Sequence, residues 1–239
     1  MSGCSSIRLE LDVGNTRIKW RLQELGSTVG QGVDLKSDIS SGVETSGLFD
    51  RVAEVWVSSV HQVQNEWIES LFPNVQYATT QKIQSGLVNS YTDASRMGVD
   101  RWLAMLAARA ANPEKAHIVI DAGTAITMDI IDAKGVHVGG YICPGLNMMK
   151  QALLGGTNKV LAISNWEIGR EPGKATQTCV DHGIQDMVLS WIERNMDLMP
   201  NACVTISGGD GEKLSKLLGR QKSYRPDLVL DGLNLSFRK

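Results

Sequence analysis

Two short stretches place an aspartate and a glycine at matched spacing, each followed by a threonine: Asp12-Val13-Gly14-Asn15-Thr16 and Asp121-Ala122-Gly123-Thr124-Ala125. A turn that approaches a phosphate needs glycine, so that the main chain can come close with N–H and hydroxyl donors aimed at the oxygens. An aspartate at the end of the preceding strand can hold a cation, directly or through water, against the charge of a triphosphate. The plainer reading is that Asp, Asn and Gly are the ordinary residues of a tight hairpin. One copy leaves the two readings level; a second copy favours phosphate. Neither stretch matches G-x-x-x-x-G-K-[ST], which excludes a P-loop. Lys19 falls near the far end of the expected second strand, where it could reach a β- or γ-phosphate or stand solvated at a sheet edge.

Gly98-Val99-Asp100-Arg101 stands at the start of an expected helix. An aspartate in a first turn is favoured by the helix dipole alone. Its chemical reading is a general base that takes the proton of an attacking hydroxyl, with Arg101 binding the charge of the acceptor. Tyr91, a little upstream, could offer a hydroxyl to the same place. Gly139-Gly140-Tyr141-Ile142-Cys143-Pro144-Gly145 is either a bulge and turn or a stretch where main chain meets something flat or charged. Ser207-Gly208-Gly209-Asp210 follows a strand and precedes a helix, a place where main chain can pack on a nucleotide. His61, His117, His137 and His182 form no constellation with a nucleophile and read as structural.

The elements that must carry these residues repeat once. Ile7 to Leu22 alternates apolar and polar residues about a turn at Gly14 and Asn15, and Ile118 to Ile131 does the same about Gly123 and Thr124. Self-similarity at nearly half the chain length points to two domains of like topology. Val52 to Ser59 reads as a buried strand, Asn65 to Leu71 as a short helix, and the stretch from Val99 to Ala111 as an amphipathic helix. Asn112-Pro113-Glu114-Lys115 is a breaker and polar link that sets the domain boundary. Beyond it come a strand ending at Gly145, a helix over Leu146 to Leu154, a long helix over Thr176 to Met196 and a strand over Ala202 to Ser207. A helix follows from Glu212, and Asp227 to Leu230 reads as a final strand. Glu24 to Phe49 carries no usable motif. Strands alternating with helices make this an α/β protein with a mixed sheet in each half.

The 239 residues suffice for two small domains, and 24 Lys+Arg against 26 Asp+Glu, with no like-charge run, give no basic face for nucleic acid. Cys4, Cys143, Cys179 and Cys203 are scattered without a C-x-x-C pair and read as reduced thiols. No stretch approaches the roughly 18 apolar residues of a membrane span, and Met1 to Ser6 is not a secretory signal, so a cytoplasmic protein is expected.

DVGNTRIK (Asp12 to Lys19), GVDR (Gly98 to Arg101), DAGTAITMD (Asp121 to Asp129), GGYICPG (Gly139 to Gly145) and SGGD (Ser207 to Asp210), in this order, resemble the type III pantothenate kinases, of the superfamily of sugar kinases, heat-shock ATPases and actin. The resemblance implies the actin-like ATPase fold: two ribonuclease-H-like domains, 1–115 and 116–239, with an ATP cleft between them. It implies a homodimer whose interface helps shape the pantothenate pocket. By the same resemblance Asp12, Val13, Gly14, Asn15, Thr16, Arg17, Ile18 and Lys19 bind the phosphates of ATP, with Asp12 handling Mg2+. Asp121 holds a monovalent cation, K+ or NH4+, and Thr124 contacts the nucleotide. Tyr91, Gly98, Val99, Asp100 and Arg101 hold pantothenate, with Asp100 as proton acceptor. Thr176 is a further pantothenate contact, although Thr178 is close enough to compete. The implied reaction is phosphorylation of pantothenate to 4′-phosphopantothenate, the first committed step toward coenzyme A. Another small-molecule kinase or a phosphatase of the same superfamily, or a non-catalytic regulatory relative, are the alternatives.

Overall fold

The computed structural model describes residues 6–35, 47–59, 62–72, 74–155 and 165–237; Cys4 and His61 lie outside these. The first alternating stretch forms β1 (Ile7–Val13) and β2 (Arg17–Glu24), followed by β3 (Ser27–Leu35), β4 (Val52–Ser59), α1 (Gln62–Leu71) and β5 (Val75–Tyr77). They make a five-stranded sheet in the order β3-β2-β1-β4-β5. β1 to β3 are antiparallel neighbours, while β4 runs parallel to β1 and β5 parallel to β4. Ile7, Leu9, Leu11, Ile18, Leu22, Val55, Val57 and Ile68 are fully buried in its core.

Two short strands, β6 (Ile83–Gln84) and β7 (Leu87–Val88), precede α2 (Val99–Ala111). The second alternating stretch then forms β8 (His117–Ala122) and β9 (Ala125–Ile131), with β10 (His137–Pro144), α3 (Leu146–Gly155), α4 (Thr176–Leu198), β11 (Cys203–Ser207), α5 (Gly211–Leu217) and β12 (Ser223–Tyr224) after them. Their sheet has the order β10-β9-β8-β11-β12. Its directions repeat those of the first: antiparallel through β8, β9 and β10, parallel through β8, β11 and β12. The duplication therefore extends from the hairpins to whole sheets. Ile118, Ile120, Ile126, Met128, Leu189, Ile192 and Ile206 form the second core.

Main-chain contacts divide the protein into two compact units: Met1–Ser85 with Tyr91–Ala107 and Leu228–Lys239, and Gly86–Ser90 with Ala108–Asp227. The last stretch corrects an expectation. Asp227 to Leu230 is no strand; Leu228–Phe237 is a helix, α6. A run of three apolar residues fits either element, and here Leu228, Val229, Leu230 and Leu233 all turn inward. Gly232 lies so close to α2 that a Cβ would overlap the Leu103 carbonyl oxygen. Polar latches hold α6 to the first sheet. Glu10, fully buried, accepts from Arg21 Nε (2.7 Å) and Asn234 Nδ2 (2.9 Å), while Arg21 also donates to Asp231 (2.8 Å). A carboxylate out of water requires such pairing.

α2 departs from the amphipathic pattern as well. Arg101 to Ala108 are buried without a break, as a helix covered on all faces must be. No helix among the described residues is long and apolar enough to cross a membrane.

Candidate active site

In the first unit, the β1–β2 turn is closed by Gly14 N donating to Arg17 O at 3.1 Å. Asn15, Thr16 and Arg17 are exposed on it, whereas the side chains of Val13 and Ile18 are buried in the core. Of the stretch from Asp12 to Lys19, those two can offer a ligand only main chain. Lys19 stands opposite Asp12 in the ladder. It is therefore near the beginning of β2, not its far end, because the strand starts directly after the turn. Both side chains are half-buried.

The same unit brings Tyr91 and Arg101 together. Arg101 Nη1 donates to the Tyr91 hydroxyl at 3.1 Å, and the guanidinium carbon lies 5.9 Å from the ring centre. Lys82 Nζ donates to the Tyr91 carbonyl oxygen at 2.8 Å. Beside Tyr91 an open depression of about 590 Å³ is bordered by Thr92, Asp93 and Arg96. The start of α2 is shaped by Gly98: a Cβ there would sit 2.5 Å from Asp100 Oδ1, and that oxygen accepts from Arg101 N at 2.8 Å. The half-buried Asp100 carboxylate thus folds back over the helix start. Val99 is buried and contributes main chain only. Lys82, Thr92, Asp93 and Arg96 were not singled out from sequence. Asp93 alone carried a signal, as a cap accepting from Ser95 N (3.0 Å) and Ser95 Oγ (2.6 Å).

In the second unit, three of the sequence motifs converge on the β8–β9 turn. Gly123 N donates to Ala125 O at 2.9 Å. From the β10–α3 junction, Gly145 N donates to Thr124 O at 2.9 Å, and a Cβ on Gly145 would overlap the carbonyl oxygens of Gly123 and Thr124. From the β11–α5 junction, Gly208, at φ +88°, lies on Ala122, and Asp210 N donates to Ala122 O at 2.8 Å. These glycines give their space to the turn itself, which holds Asp121 half-buried and leaves Thr124 exposed. Asp121 is flanked by Thr127 on β9 and Ser207 on β11. Gly139 sits at a register shift in β10 with φ +145°, the bulge that its sequence allowed.

Thr176 is the first residue of α4 and is exposed. Thr178 is engaged at the helix start, its Oγ1 donating to Ala175 O (2.9 Å) and accepting from Ala175 N (3.1 Å). Deeper in this unit Lys150 and Asp181 form a fully buried ion pair at 2.8 Å. Burial alone would push the Asp181 carboxyl up, but Lys150, the Glu167 amide and Gln177 outweigh it and hold its pKa below the ordinary carboxylate value.

The first unit thus carries amide, hydroxyl and ammonium groups at Asn15, Thr16 and Lys19 and a carboxylate beside a guanidinium at Asp100 and Arg101, and the second carries a braced acidic turn at Asp121; groups of these kinds are what phosphoryl transfer uses for positioning and charge neutralisation. A protein chain from Marinobacter nauticus, a type III pantothenate kinase, is 33% identical over 234 residues, covering 94% of this chain and 96% of its own. Another of that name, from Pseudomonas aeruginosa, is 35% identical over 245 residues, covering 95% and 98%. Among solved structures, a conserved Campylobacter jejuni protein described as a Baf family transcriptional activator superposes with TM-score 0.62 at 18% identity, over 95% of this chain and 96% of that one. The ethanolamine utilization protein EutJ from Carboxydothermus hydrogenoformans gives TM-score 0.55 at 12% identity, over 98% and 90%. At those identities the structures bear on the fold alone, which is that of the actin-like ATPases. The family model for type III pantothenate kinase matches residues 8–197, a span that holds both acidic turns, Tyr91, the Gly98 to Arg101 stretch and Thr176, and the chain therefore belongs to the type III pantothenate kinase family.

Proposed function

We propose that this chain transfers the γ-phosphoryl group of ATP to the terminal hydroxyl of pantothenate, giving 4′-phosphopantothenate and ADP. The family match over residues 8–197 carries this reading. Asp12 to Lys19 bind the triphosphate: Asn15 and Thr16 offer donors from the turn, Gly14 lets the main chain come close, Lys19 adds positive charge, and Val13 and Ile18 hold the turn on its core. Asp12 serves Mg2+ and Asp121 a monovalent cation, K+ or NH4+. Carboxylate oxygen on a constrained turn suits such hard cations, which when bound neutralise phosphate charge. Thr124, exposed on its braced turn, contacts the nucleotide.

Pantothenate is held by Tyr91, Gly98, Val99, Arg101 and Thr176. The buried Arg101 guanidinium, oriented by Tyr91, meets the charge of the acceptor. Asp100 accepts the proton of the attacking hydroxyl; a loose transition state lets that transfer lag behind P–O cleavage, so the carboxylate needs no strongly altered basicity. The reaction belongs in the cytoplasm, where its ATP is found. The working form is a homodimer. In support, the edge strand β10 exposes Val138, Tyr141 and Ile142, and α4 exposes Met187, while Tyr141 packs edge-on to Trp191 at 5.8 Å. Exposed apolar groups so clustered mark interaction surfaces.

Pantothenate-dependent ADP release, assayed with and without potassium, tests the reading. Turnover with pantothenate that rises with potassium is expected; turnover only with sugars or polyphosphate overturns it.

A further inference from the structure

Ser90, His137 and Asp129 form a hydrogen-bonded chain. Ser90 Oγ lies 2.9 Å from His137 Nδ1, and His137 Nε2 lies 3.0 Å from Asp129 Oδ1. His137 is fully buried and Asp129 nearly so, while Ser90 is exposed. A carboxylate only accepts, so in a neutral imidazole the hydrogen resides on Nε2 and Nδ1 presents a lone pair. In that tautomer the Ser90 hydroxyl donates inward.

The segment leading to Ser90 is anchored as firmly. Leu87 and Asn89 are fully buried, Val88 N donates to Gly135 O at 2.9 Å, and Val88 bridges Val136. Ser90 is the last point of this anchoring, and the next residue is Tyr91, whose carbonyl and hydroxyl are gripped by Lys82 and Arg101. One peptide bond fixes consecutive Cα atoms about 3.8 Å apart, so the anchored Ser90 adjoins the main chain of Tyr91 directly.

The geometry points to Ser90, held by His137 and Asp129, as a positioning residue for the acceptor, acting through Tyr91. This rests on the reading of the chain as a pantothenate kinase. Its effect falls on binding of the acceptor in ground and transition states alike, which moves KM and leaves kcat in place.

The test is steady-state kinetics on the full chain with pantothenate and ATP varied separately, comparing the parent with Ser90→Ala and Ser90→Thr. Ser90 is exposed, so its truncation leaves no core cavity. Ser90→Ala is expected to raise the KM for pantothenate roughly three- to tenfold, the scale of one lost hydrogen bond, with kcat and the KM for ATP within about twofold. Ser90→Thr, which keeps the hydroxyl, restores the parent value. A pantothenate KM unchanged in Ser90→Ala, a shift shared equally by ATP, or a Ser90→Thr variant as impaired as Ser90→Ala overturns the positioning role while leaving the kinase reading intact. A parent chain with no pantothenate turnover overturns the kinase reading, and this role with it.

Discussion

The main chain of Gly208 lies on that of Ala122, close enough that a Cβ at 208 would stand 2.6 Å from the Ala122 nitrogen and overlap its carbonyl oxygen. Positive φ compounds the difficulty, since a side chain at φ +88° is strained even in open space. Gly208→Ala is therefore expected to cost about 1–3 kcal/mol, read as a lower urea midpoint. The neighbouring Gly209, with nothing near its missing Cβ, is the control: Gly209→Ala should stay within about 0.5 kcal/mol of the parent.

Asp100→Asn keeps the size of the side chain and its bond from Arg101 N while removing the basic oxygen. Turnover is expected to fall at least ~10²-fold, the usual scale for a general base, while ATP binding by titration calorimetry persists. Unchanged turnover would remove Asp100 from the proton transfer.

Asp121→Ala removes the carboxylate from a turn that is otherwise braced by Gly145 and Gly208. The fold should survive, and stimulation by potassium should disappear from the rate. Potassium dependence that persists in this variant would assign the cation to other groups.

The Lys150–Asp181 pair makes stability depend on acid. With its folded-state pKa held below the ordinary value, Asp181 contributes stability that is fully present above about pH 4, the unfolded carboxylate range, and is lost as pH falls below it. Asp181→Asn leaves Lys150 buried without its counter-charge, at an expected cost of about 3–5 kcal/mol near pH 7. Denaturation midpoints of the two proteins should draw together as the pH is lowered from 7 toward 3; a constant gap would contradict the linkage.

The hairpins and the long helix from Thr176 were legible because each carries a period over many residues. β3 was not. Ser27 to Leu35 is polar and contains Gly30 and Gly32, and its place as an edge strand depends on Trp20, whose indole covers Gly32 at 2.7 Å from where a Cβ would stand. The helix α6 reads as a strand because Asp227 to Leu230 holds only its first three residues, and what decides it, the fit of Gly232 against Leu103, lies far away in sequence. Tyr91, expected to offer its hydroxyl to the same place as Arg101, is hydrogen-bonded to it. The glycines at 145 and 208 were recognised as sites of close approach, but what they approach is the second turn, a neighbour that only the folded sheet reveals. The Ser90–His137 bond had no signal, since neither residue belongs to a motif.

The final helix has a consequence for how the protein is made. Glu10 and Arg21 are translated before the second sheet, yet Asn234 and Asp231, which complete their hydrogen bonding, are translated only after it. The second sheet, drawn from one continuous stretch of chain, has all its strands in hand sooner. Biogenesis should accordingly run against sequence order, with the earlier-synthesised sheet waiting, its acidic core residue incompletely partnered, until the helix that follows the second sheet arrives to close it.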